Sequence, residues 1–442
     1  MEDNPNKVKK RIQGIDVYNS AILNADFIQS QRITTVILAI ENLHPEKKSR
    51  VIDLCLEHQI TIKQAPPLDE WIKGEVNSNQ IRQVKIEDLL QRLPLKISQS
   101  HLKGFFDSKI VLVSGAAGSI GGEIVKQLAL NNAKKIIILD NAETPIFNLH
   151  QNLLDEGISP ELLCEEIVSV TDEEGLKGVF EKHRPNIVFH AAALKHVPLM
   201  ERHPKAAFGT NVIGSRLMAE ISGDFGVEKF VMVSTDKAVR PANVMGATKR
   251  IAEMYIKALQ DSGKYSTKFI ITRFGNVLGS NGSVIPTFRR QIEKGGPVKV
   301  THPDITRYFM TIPEACQLVL EAGVMGAGGE TYIFDMGEPV KIVDLAKKMI
   351  GLSGMRLDID ISIEYSGLRP GEKLYEELWH GDERRLSTHH EKIMIAETSS
   401  LDISDISTTI DAFSIQSAWD SENREVAKAI IDFANYSIES EP

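Results

Sequence analysis

Residues 110–121 read IVLVSGAAGSIG, and this stretch decides the fold. A short apolar run leads into three glycines at the spacing G-x-x-G-x-x-G, and a helical pattern begins among them. Glycines at such a turn let the backbone approach a pyrophosphate, which then lies at the N-terminus of the helix. A plain turn is the alternative, but the strand-turn-helix context favours a dinucleotide site. The residues predicted to contact the dinucleotide here are Gly115, Ala117, Gly118, Ser119, Ile120 and Gly121.

Around this stretch, short apolar strands alternate with longer amphipathic helices from Lys109 to well beyond residue 270. Such a rhythm is typical of a parallel sheet with helices on both faces. The predicted fold class is therefore α/β, a Rossmann-like doubly wound parallel sheet. The strands expected in the sheet are 109–114, 135–140, 166–170, 186–191, 229–234 and 268–273.

Further regions flank this sheet. The rhythm breaks into loops and short helices after Gly279, where a smaller substrate-binding part is expected. The expected ranges are a partial N-terminal α/β domain at 1–95, a catalytic domain at 96–400 with a cofactor part at about 105–275 and a substrate part at about 276–400, and a C-terminal helix or tail at 401–442.

Composition bounds the class of protein. Of 442 residues, 42% are hydrophobic and 25% are charged, which is the profile of a globular domain. The net charge of -9 argues against a general nucleic-acid binder. The 3 cysteines are far apart and odd in number, so we expect neither a disulfide framework nor a metal cluster. With no bilayer-length apolar run and no signal peptide at the start, a cytoplasmic location is expected.

The second predicted strand ends in Asp140, where a carboxylate binds the adenosine ribose hydroxyls of a dinucleotide. A carboxylate there repels a 2′-phosphate, so NAD is favoured over NADP; capping of the next turn is the alternative role. Asp172, after the third strand, is expected near the adenine. The small side chains of Ala191, Ala192 and Ala193 end the fourth strand and leave room for the cofactor.

Residues 231–249 read VMVSTDKAVRPANVMGATK and carry the predicted chemistry. The segment resembles the Tyr-x-x-x-Lys helix of short-chain dehydrogenases, in which Tyr is the acid/base and Lys lowers its pKa and holds the ribose. Here Met245 occupies the Tyr position and Lys249 the Lys position. Because a thioether cannot transfer a proton, another group must do so.

Asp236 and Lys237 offer that chemistry, because an acid and a base within reach of adjacent carbons are what the removal of water requires. Their place at the carboxyl end of a strand, after Ser234 and Thr235, puts them near the cofactor. Side chains of neighbouring residues on a strand point to opposite faces, so a turn must bring the two together. An exposed ion pair in a loop is the alternative.

Taken together, these segments resemble the bacterial nucleotide-sugar 4,6-dehydratases of polysaccharide biosynthesis, the CapD-like group of the extended short-chain dehydrogenase superfamily. The Met in place of Tyr resembles its long members. The matching signatures are Gly115–Gly121, 191–201, Ser234–Lys237, Gly246–Lys249, 273–288, 304–312 and 368–377.

The resemblance implies that the chain is a lyase acting on UDP-N-acetylglucosamine. Tightly bound NAD would take hydride from carbon 4 and return it to carbon 6, so that the cofactor is regenerated. Lys237 would be the base at carbon 5 and Asp236 the acid at carbon 6, Thr235 would bond the 4-hydroxyl, and Lys249 would hold the nicotinamide ribose, with Ser234 also beside the cofactor. Retention of configuration at carbon 5 is expected.

The resemblance also implies substrate contacts. Lys195 and His196 are expected near the sugar, Asn276 and Val277 near the nucleotide, and Glu372 at the uridine ribose. The remaining predicted contacts are Asn211 on a following helix, and Arg307 and Arg369 at the diphosphate. Simple solvation is the alternative for the two arginines, and a satisfied buried histidine is the alternative for His196.

Two other functions stay open, namely a nucleotide-sugar epimerase, which shares the 4-keto intermediate, and a non-catalytic dinucleotide-binding module. A homo-oligomer is expected, built by the helices after Ala206 and Gly246. Long members of the group carry membrane helices and a nucleotide-binding-like domain before the catalytic one. The first residues here resemble the middle of that domain, so we expect a truncated form whose full-length version lies at the cytoplasmic face of the inner membrane.

Overall fold

The computed structural model describes residues 1, 4, 6–40, 43, 45–65, 82–84, 99–379, 383–399, 401–414 and 423–439. The predicted domain boundary at residue 95 lies outside these residues. Among the helices in the described ranges, none combines the length and the apolar character that crossing a bilayer needs. By packing, the chain forms two compact units, and the expected domain boundaries stay a prediction. The first unit comprises Met1–Pro94, Thr287–Val300 and Ile342–Tyr365, and the second comprises Leu95–Pro286, Thr301–Lys341 and Ser366–Pro442.

The strands are short, and most of the long ones belong to one sheet. In chain order they are β1 (Arg11–Ile12), β2 (Ile15–Asp16), β3 (Thr35–Leu38), β4 (Thr61–Gln64), β5 (Arg82–Gln83), β6 (Ile110–Ser114), β7 (Lys135–Asp140), β8 (Leu163–Ile167), β9 (Ile187–His190), β10 (Lys229–Val233), β11 (Lys268–Arg273), β12 (Asn276–Val277), β13 (Val298–Val300), β14 (Thr306–Arg307), β15 (Phe309–Met310), β16 (Thr331–Phe334), β17 (Val340–Lys341), β18 (Ile363–Tyr365), β19 (Arg385–Ser387) and β20 (Ile393–Ala396).

The helices lie between these strands and after them. In chain order they are α1 (Ala25–Ser30), α2 (Pro45–Glu57), α3 (Gln99–Phe106), α4 (Ser119–Leu130), α5 (Glu143–Asp155), α6 (Glu173–His183), α7 (Val197–Met200), α8 (Pro204–Phe208), α9 (Gly214–Asp224), α10 (Val244–Asp261), α11 (Val284–Glu293), α12 (Ile312–Met325), α13 (Ile342–Leu352), α14 (Ile403–Ser414) and α15 (Asn423–Glu439).

The second unit is built on a nine-stranded sheet in the order β19-β20-β16-β11-β10-β9-β6-β7-β8. The pairs from β8 to β16 are parallel, and β20 and β19 are added antiparallel. This confirms the predicted doubly wound α/β fold. The strand order reverses between β6 and β9, and ligands of such sheets bind beyond the carboxyl ends of the strands at that point.

Both faces of the sheet are buried, which explains why the sequences of its central strands are unbroken apolar runs. Val111 and Val113 belong to the core on one face, and Leu112 between them belongs to the core on the other. In β7 the same alternation places Ile136 and Ile137 in opposite cores. The alternation of side chains along a strand therefore supplies two cores from one apolar run.

The prediction placed the third strand at 166–170, but the structure has it at Leu163–Ile167. The strand lies at the edge of the sheet, paired only with β7 among the described strands. Its residues alternate between buried or partly buried and exposed positions, so it has no continuous apolar run. An edge strand lacks the second covering neighbour that makes the central strands easy to recognise.

The first unit has its own small core. β3, β4 and β5 form one sheet and β13 pairs with β18 in another. The buried residues of this core are Leu23, Ile28, Leu38, Ile52, Cys55, Ile60, Ile62 and Val84, with Leu352 of α13 packed against them.

The residues after 401 form two helices in the described part, and both pack on the second unit. Ile410 of α14 and Ile430 of α15 are fully buried in the core that includes α10. α10 itself buries 14 of its 18 residues, and α15 lies along it. The chain thus covers much of a helix that was expected to form a homo-oligomer, and self-association stays a prediction.

Candidate active site

The glycine turn after β6 brings the backbone closer to its neighbours than any side chain would allow. Gly115 has a φ of 67°, and a Cβ there would lie 2.5 Å from the Cα of Ala192. A Cβ on Gly121 would lie 2.2 Å from the carbonyl oxygen of Gly115. α4 begins at Ser119, and the first N–H groups of a helix have no partners within it, so they are available to a phosphate.

Asp140 ends β7 beside this turn. One carboxylate oxygen accepts a hydrogen bond from the backbone N–H of Ala117 at 3.1 Å, and the other accepts one from Ala142 at 3.1 Å. The first bond ties the carboxylate to the glycine turn, as a ribose-binding group requires. The second bond caps the following turn, so both roles weighed from the sequence describe the same side chain. Contact with the ribose stays a prediction.

Asp172 has a different partner from the one expected. It is exposed and forms the N-cap of α6, where its carboxylate accepts a hydrogen bond from the N–H of Gly175 at 3.0 Å. The structure gives this residue a helix-capping role, and its contact with adenine stays a prediction.

A cavity of about 290 Å³ is lined by residues that follow β9, β10 and β11. Of the predicted site residues, those that line it are Ile120, Ala191, Ala193, Lys195, His196, Ser234, Thr235, Lys237, Met245, Lys249, Asn276 and Val277. Lining residues that the sequence analysis did not select are Val233, Phe274, Gly275, Ser280, Asn281, Gly282 and Ser283. Four of these belong to the stretch 280–283, where the glycine at position 282 could have indicated a close backbone approach.

A single 3₁₀ turn, Asp236–Ala238, follows β10 and brings the acid and the amine together. Thr235 caps the turn, and its hydroxyl donates to Asp236 Oδ1 at 2.8 Å. Lys237 Nζ donates to the same oxygen at 2.9 Å and to Asn276 Oδ1 at 3.0 Å. Asp236 is buried, and its Oδ2 has no hydrogen-bond partner among the described residues. The pair is therefore a buried ion pair beside the cavity.

The same turn packs directly against the start of α10. A Cβ on Gly246 would lie 2.1 Å from the carbonyl oxygen of Lys237, so only glycine fits there. Met245 precedes this glycine and lines the cavity, and Lys249 follows it by about one helical turn. The close approach fixes the distance between the Asp236–Lys237 pair and Lys249.

Lys249 is buried, and its Nζ has no hydrogen-bond partner within the described part of the chain. Burial lowers its pKa from 10.5 to about 8, while the charge of Glu253 acts in the opposite direction. An unpartnered buried amine next to a cavity, together with a turn too tight for any Cβ, fits the ribose and pyrophosphate of a nicotinamide dinucleotide.

Lys195 and His196 line the same cavity. Burial lowers the pKa of Lys195, and burial followed by the charge of Lys195 lowers the pKa of His196. The imidazole also lies against Gly282, where a Cβ would be 2.5 Å from Cε1. Asn281 next to it donates its N–H to the hydroxyl of Ser119 at 3.2 Å. The stretch 280–283 thus crosses from the histidine to the start of α4.

Asn211 does not line the cavity. It is fully buried, and its amide exchanges hydrogen bonds with the backbone of Leu194 at 2.8 and 3.0 Å and donates to the Thr248 hydroxyl at 3.0 Å. Since these bonds use both ends of the amide, the side chain holds the loop after β9 to α10. The structure gives Asn211 this holding role, and its contact with substrate stays a prediction.

The residues predicted to bind the diphosphate and the uridine ribose also lie outside the cavity lining. The Arg307 guanidinium is buried and donates to the carbonyls of Thr306 at 2.6 Å and Lys373 at 2.9 Å, so it secures the chain around residue 373. Glu372 accepts a hydrogen bond from the Thr301 hydroxyl at 3.2 Å. Arg369 is exposed. None of the three lines the cavity described above, and their substrate contacts stay predictions.

Glu376 is a charged residue of this site that the sequence analysis missed. Its Oε1 lies 3.9 Å from Lys237 Nζ and 3.7 Å from Arg307 Nη2. Burial raises its pKa, and the charge of Lys237 partly opposes that shift. The motif around it contains two successive acids, Glu376 and Glu377, and no local pattern indicates which one is buried.

Away from the cavity, Cys164, Glu166 and His183 bring potential metal-ligand atoms within 4.8 Å of one another. Two ammonium groups already occupy this cluster, since Lys182 donates to Glu166 at 2.7 Å and Lys135 lies 3.3 Å from His183 Nδ1. Positive charge at these positions opposes a divalent cation. The cluster is better described as a polar network that ties β8 to α6.

Comparison with known proteins agrees with the fold. The family model described as "Polysaccharide biosynthesis protein" matches residues 111–398. The "Probable polysaccharide biosynthesis protein EpsC" of Bacillus subtilis (strain 168) is 45% identical over 398 residues, which cover 90% of this chain and 66% of that protein. The chain thus spans just under two thirds of the length of this relative.

Other relatives match a smaller share of the chain. A "UDP-N-acetylglucosamine 4,6-dehydratase (inverting)" of Campylobacter jejuni serotype O:2 is 32% identical over 65% of this chain and 82% of its own length. A "UDP-glucose 4-epimerase" of Rickettsia massiliae (strain Mtu5) is 34% identical over 63% of this chain and 80% of its own length. The solved structure of Pen from Bacillus thuringiensis has a TM-score of 0.61 at 32% identity and covers 67% of this chain and 90% of that chain.

Gly121→Ala tests the cofactor turn. Its Cβ would collide with the backbone of Gly115, so the turn must move away from the phosphate. We expect affinity for NAD, measured by calorimetric titration, to fall at least about 100-fold. Gly178→Ala in α6 is the matched control, because a Cβ there meets nothing within 4 Å. Equal NAD affinity in the two variants would contradict the assignment.

Lys249→Met tests the buried amine. Because the folded chain holds this lysine at a pKa of about 8 against 10.5, it binds fewer protons than the unfolded chain between these values. The burial cost is therefore fully present below pH 8 and disappears as the pH rises to 10.5. We expect Lys249→Met to raise the free energy of unfolding by about 2 kcal/mol at pH 7 and by much less above pH 10. Chemical denaturation across this range measures it, with exposed Lys347→Met as control; a pH-independent difference would contradict the expectation.

Proposed function

The chain belongs to the polysaccharide biosynthesis protein family, and on that premise we propose that it is a nucleotide-sugar 4,6-dehydratase acting on UDP-N-acetylglucosamine. The observation that carries the proposal is the buried Asp236–Lys237 ion pair, whose lysine lines a cavity together with Met245 and Lys249. An acid and an amine 2.9 Å apart supply the two proton transfers that the loss of water needs.

NAD is the proposed cofactor, held by the glycine turn, by Asp140 and by Lys249. When bound, it supplies reversible hydride transfer, taking hydride from carbon 4 of the hexose and returning it to carbon 6. The unpartnered Nζ of Lys249 is then the donor to the nicotinamide ribose. Since the hydride is returned, the proposal includes no second substrate for redox balance.

The proton transfers are assigned to the chain's own residues. In the observed ion pair, the Lys237 ammonium group donates a hydrogen bond to Asp236 Oδ1. Movement of the proton in this bond leaves a neutral amine and a protonated carboxyl group. The amine then removes the proton from carbon 5, and the carboxyl group protonates the hydroxyl that leaves carbon 6 as water. The proton of the oxidised 4-hydroxyl is released to solvent, and the Lys237 ammonium returns a proton to carbon 5 when hydride is returned to carbon 6. The amine then regains one proton from solvent, so the protons balance over the cycle and the original ion pair is restored.

The hydroxyl of Thr235 supports this assignment from the cavity wall. It donates to Asp236 Oδ1, and the residue lines the cavity where the superfamily tyrosine is replaced by Met245. We assign it to the 4-hydroxyl of the hexose. Lys195, His196 and Asn276 line the same cavity and are proposed to contact the sugar and the nucleotide.

An epimerase is the second candidate, because one relative carries that name and both reactions begin by oxidising carbon 4. Epimerisation at carbon 4 needs no group that protonates a hydroxyl at carbon 6. The Asp236–Lys237 pair therefore favours the dehydratase, and the product decides between them.

Incubation of the chain with UDP-N-acetylglucosamine and NAD tests the reaction. We expect a product lighter by one water, with a 4-keto group and a methyl group at carbon 6, as measured by mass spectrometry and proton NMR. Retention at carbon 5 is expected, and NMR coupling constants report it. A product of unchanged mass with inverted carbon 4 would replace the dehydratase by the epimerase, and no product would leave a nucleotide-binding module.

Asp236→Asn and Lys237→Ala test the assigned proton transfers. Each should lower kcat by about 10²–10⁴-fold, because the acid or the base is removed, while NAD stays bound. Asp360→Asn is the control, since Asp360 forms an exposed ion pair with Arg356 at 2.8 Å and should leave kcat unchanged. Retention of activity in either site variant would overturn the assignment.

A further inference from the structure

A second buried carboxylate lies beside the amine of Lys237. Glu376 is buried like Asp236, and its Oε1 lies 3.9 Å from Lys237 Nζ. Like Asp236, it does not line the cavity, and it lies further from the amine than Asp236, at 3.9 against 2.9 Å. Its influence on the site therefore passes through the lysine. The amine therefore lies between two carboxylates, one adjacent in sequence and one 139 positions later (376 minus 237).

The segment that carries Glu376 is fixed to the active-site turn by several contacts. Arg307 donates to the carbonyls of Lys373 and Leu374 at 2.9 and 3.3 Å. Lys373 Nζ donates to the carbonyl of Val239, just after the 3₁₀ turn, at 3.1 Å. These bonds hold the backbone on both sides of the contact, so the distance between the Glu376 carboxylate and the Lys237 amine is determined by the fold.

A fourth bond, from the Asn243 side chain to the carbonyl of Gly371 at 3.0 Å, ties the same segment to the N-cap of α10. A Cβ on Gly371 would lie 2.6 Å from the Asn243 side chain, and its φ is 73°. The segment 371–376 is thus attached to both elements that shape the site, the 3₁₀ turn and the start of α10.

The lysine needs such a partner during the proposed reaction. When its proton moves to Asp236, the hydrogen bond that positions the amine weakens, and Asn276 alone remains at 3.0 Å. A second carboxylate 3.9 Å from the amine keeps an attraction that favours the ammonium form when the proton from carbon 5 arrives. Burial raises the pKa of Glu376 and the Lys237 charge opposes that rise, so the two groups sense each other's charge.

We propose that Glu376 is a positioning residue of the reaction, whose carboxylate holds the Lys237 amine in place while its proton is shared with Asp236. The role rests on the proposed dehydratase function. The competing role is purely structural, in which Glu376 only balances the charge of Arg307, 3.7 Å away.

Glu376→Gln, Glu376→Asp and the control Glu377→Gln separate these roles. Glu377 is the exposed neighbour of the same charge. With the full chain and UDP-N-acetylglucosamine, Glu376→Gln should lower kcat about 100-fold with little change in KM, because the base is misplaced and substrate contacts are kept. Glu376→Asp keeps the charge and should recover part of the loss, and Glu377→Gln should match the unaltered chain.

A second measurement does not depend on turnover. Acetic anhydride modifies neutral amines, so its rate at Lys237 relative to exposed Lys347 reports the fraction of neutral amine. Removing a carboxylate 3.9 Å away should raise this ratio about fivefold in Glu376→Gln and leave it unchanged in Glu377→Gln. Thermal melting of each variant identifies loss of folding.

The outcomes are distinct. If the unaltered chain forms no product but the labelling ratio rises in Glu376→Gln, the proposed reaction fails and the coupling of Glu376 to Lys237 stands. If the unaltered chain is active and a folded Glu376→Gln keeps both its kcat and its labelling ratio, the positioning role is overturned. A lower melting temperature with an unchanged labelling ratio and a kcat restored by mild cooling assigns Glu376 to Arg307 alone, and also overturns it.

Discussion

The contact between the carbonyl of Lys237 and Gly246 is the constraint on which the site depends. With room for no Cβ at residue 246, the turn after β10 and the first turn of α10 touch backbone to backbone. That contact sets Lys237 on one element at a fixed distance from Met245 and Lys249 on the other. The glycine turn after β6 applies the same principle on the cofactor side, where Gly115 and Gly121 leave no space for side chains. Close backbone approach, rather than side-chain packing, thus defines both halves of the cavity.

Buried charged side chains form a second constraint on the structure. Arg273 is almost fully buried and donates to Glu253 at 2.7 Å and to Glu383 at 2.9 Å. This network anchors the end of β11 to α10, one turn beyond Lys249. Pairing offsets part of the cost of burying a charge, whereas a lone one such as the Lys249 amine has no such compensation. The fold therefore concentrates its unfavourable electrostatics at the cavity and pairs the charges around it. Such a distribution is expected where function requires a destabilised group.

The sequence indicated the elements closest to the cofactor well and those further away poorly. The turn at 115–121 and the strands on either side were predicted because central parallel strands are continuous apolar runs and the glycine spacing is specific. β8 was misplaced by three residues, since an edge strand alternates instead. Asn211 was expected at the substrate, yet its amide holds the Leu194 backbone. A polar residue on a helix next to a site reads the same in sequence whether it faces the ligand or the protein.

What the sequence determined by itself was the chemistry available: a glycine turn, an Asp-Lys pair after a strand, and a methionine where a proton-transferring tyrosine would stand. These are local patterns, and local backbone preference is sufficient to specify them. The tertiary structure alone decided which charges meet. Glu376 and its neighbour Glu377 are identical in type and adjacent in the chain, but only the fold buries one of them near Lys237. Long-range pairing of this kind depends on how distant segments pack, and no local pattern encodes it.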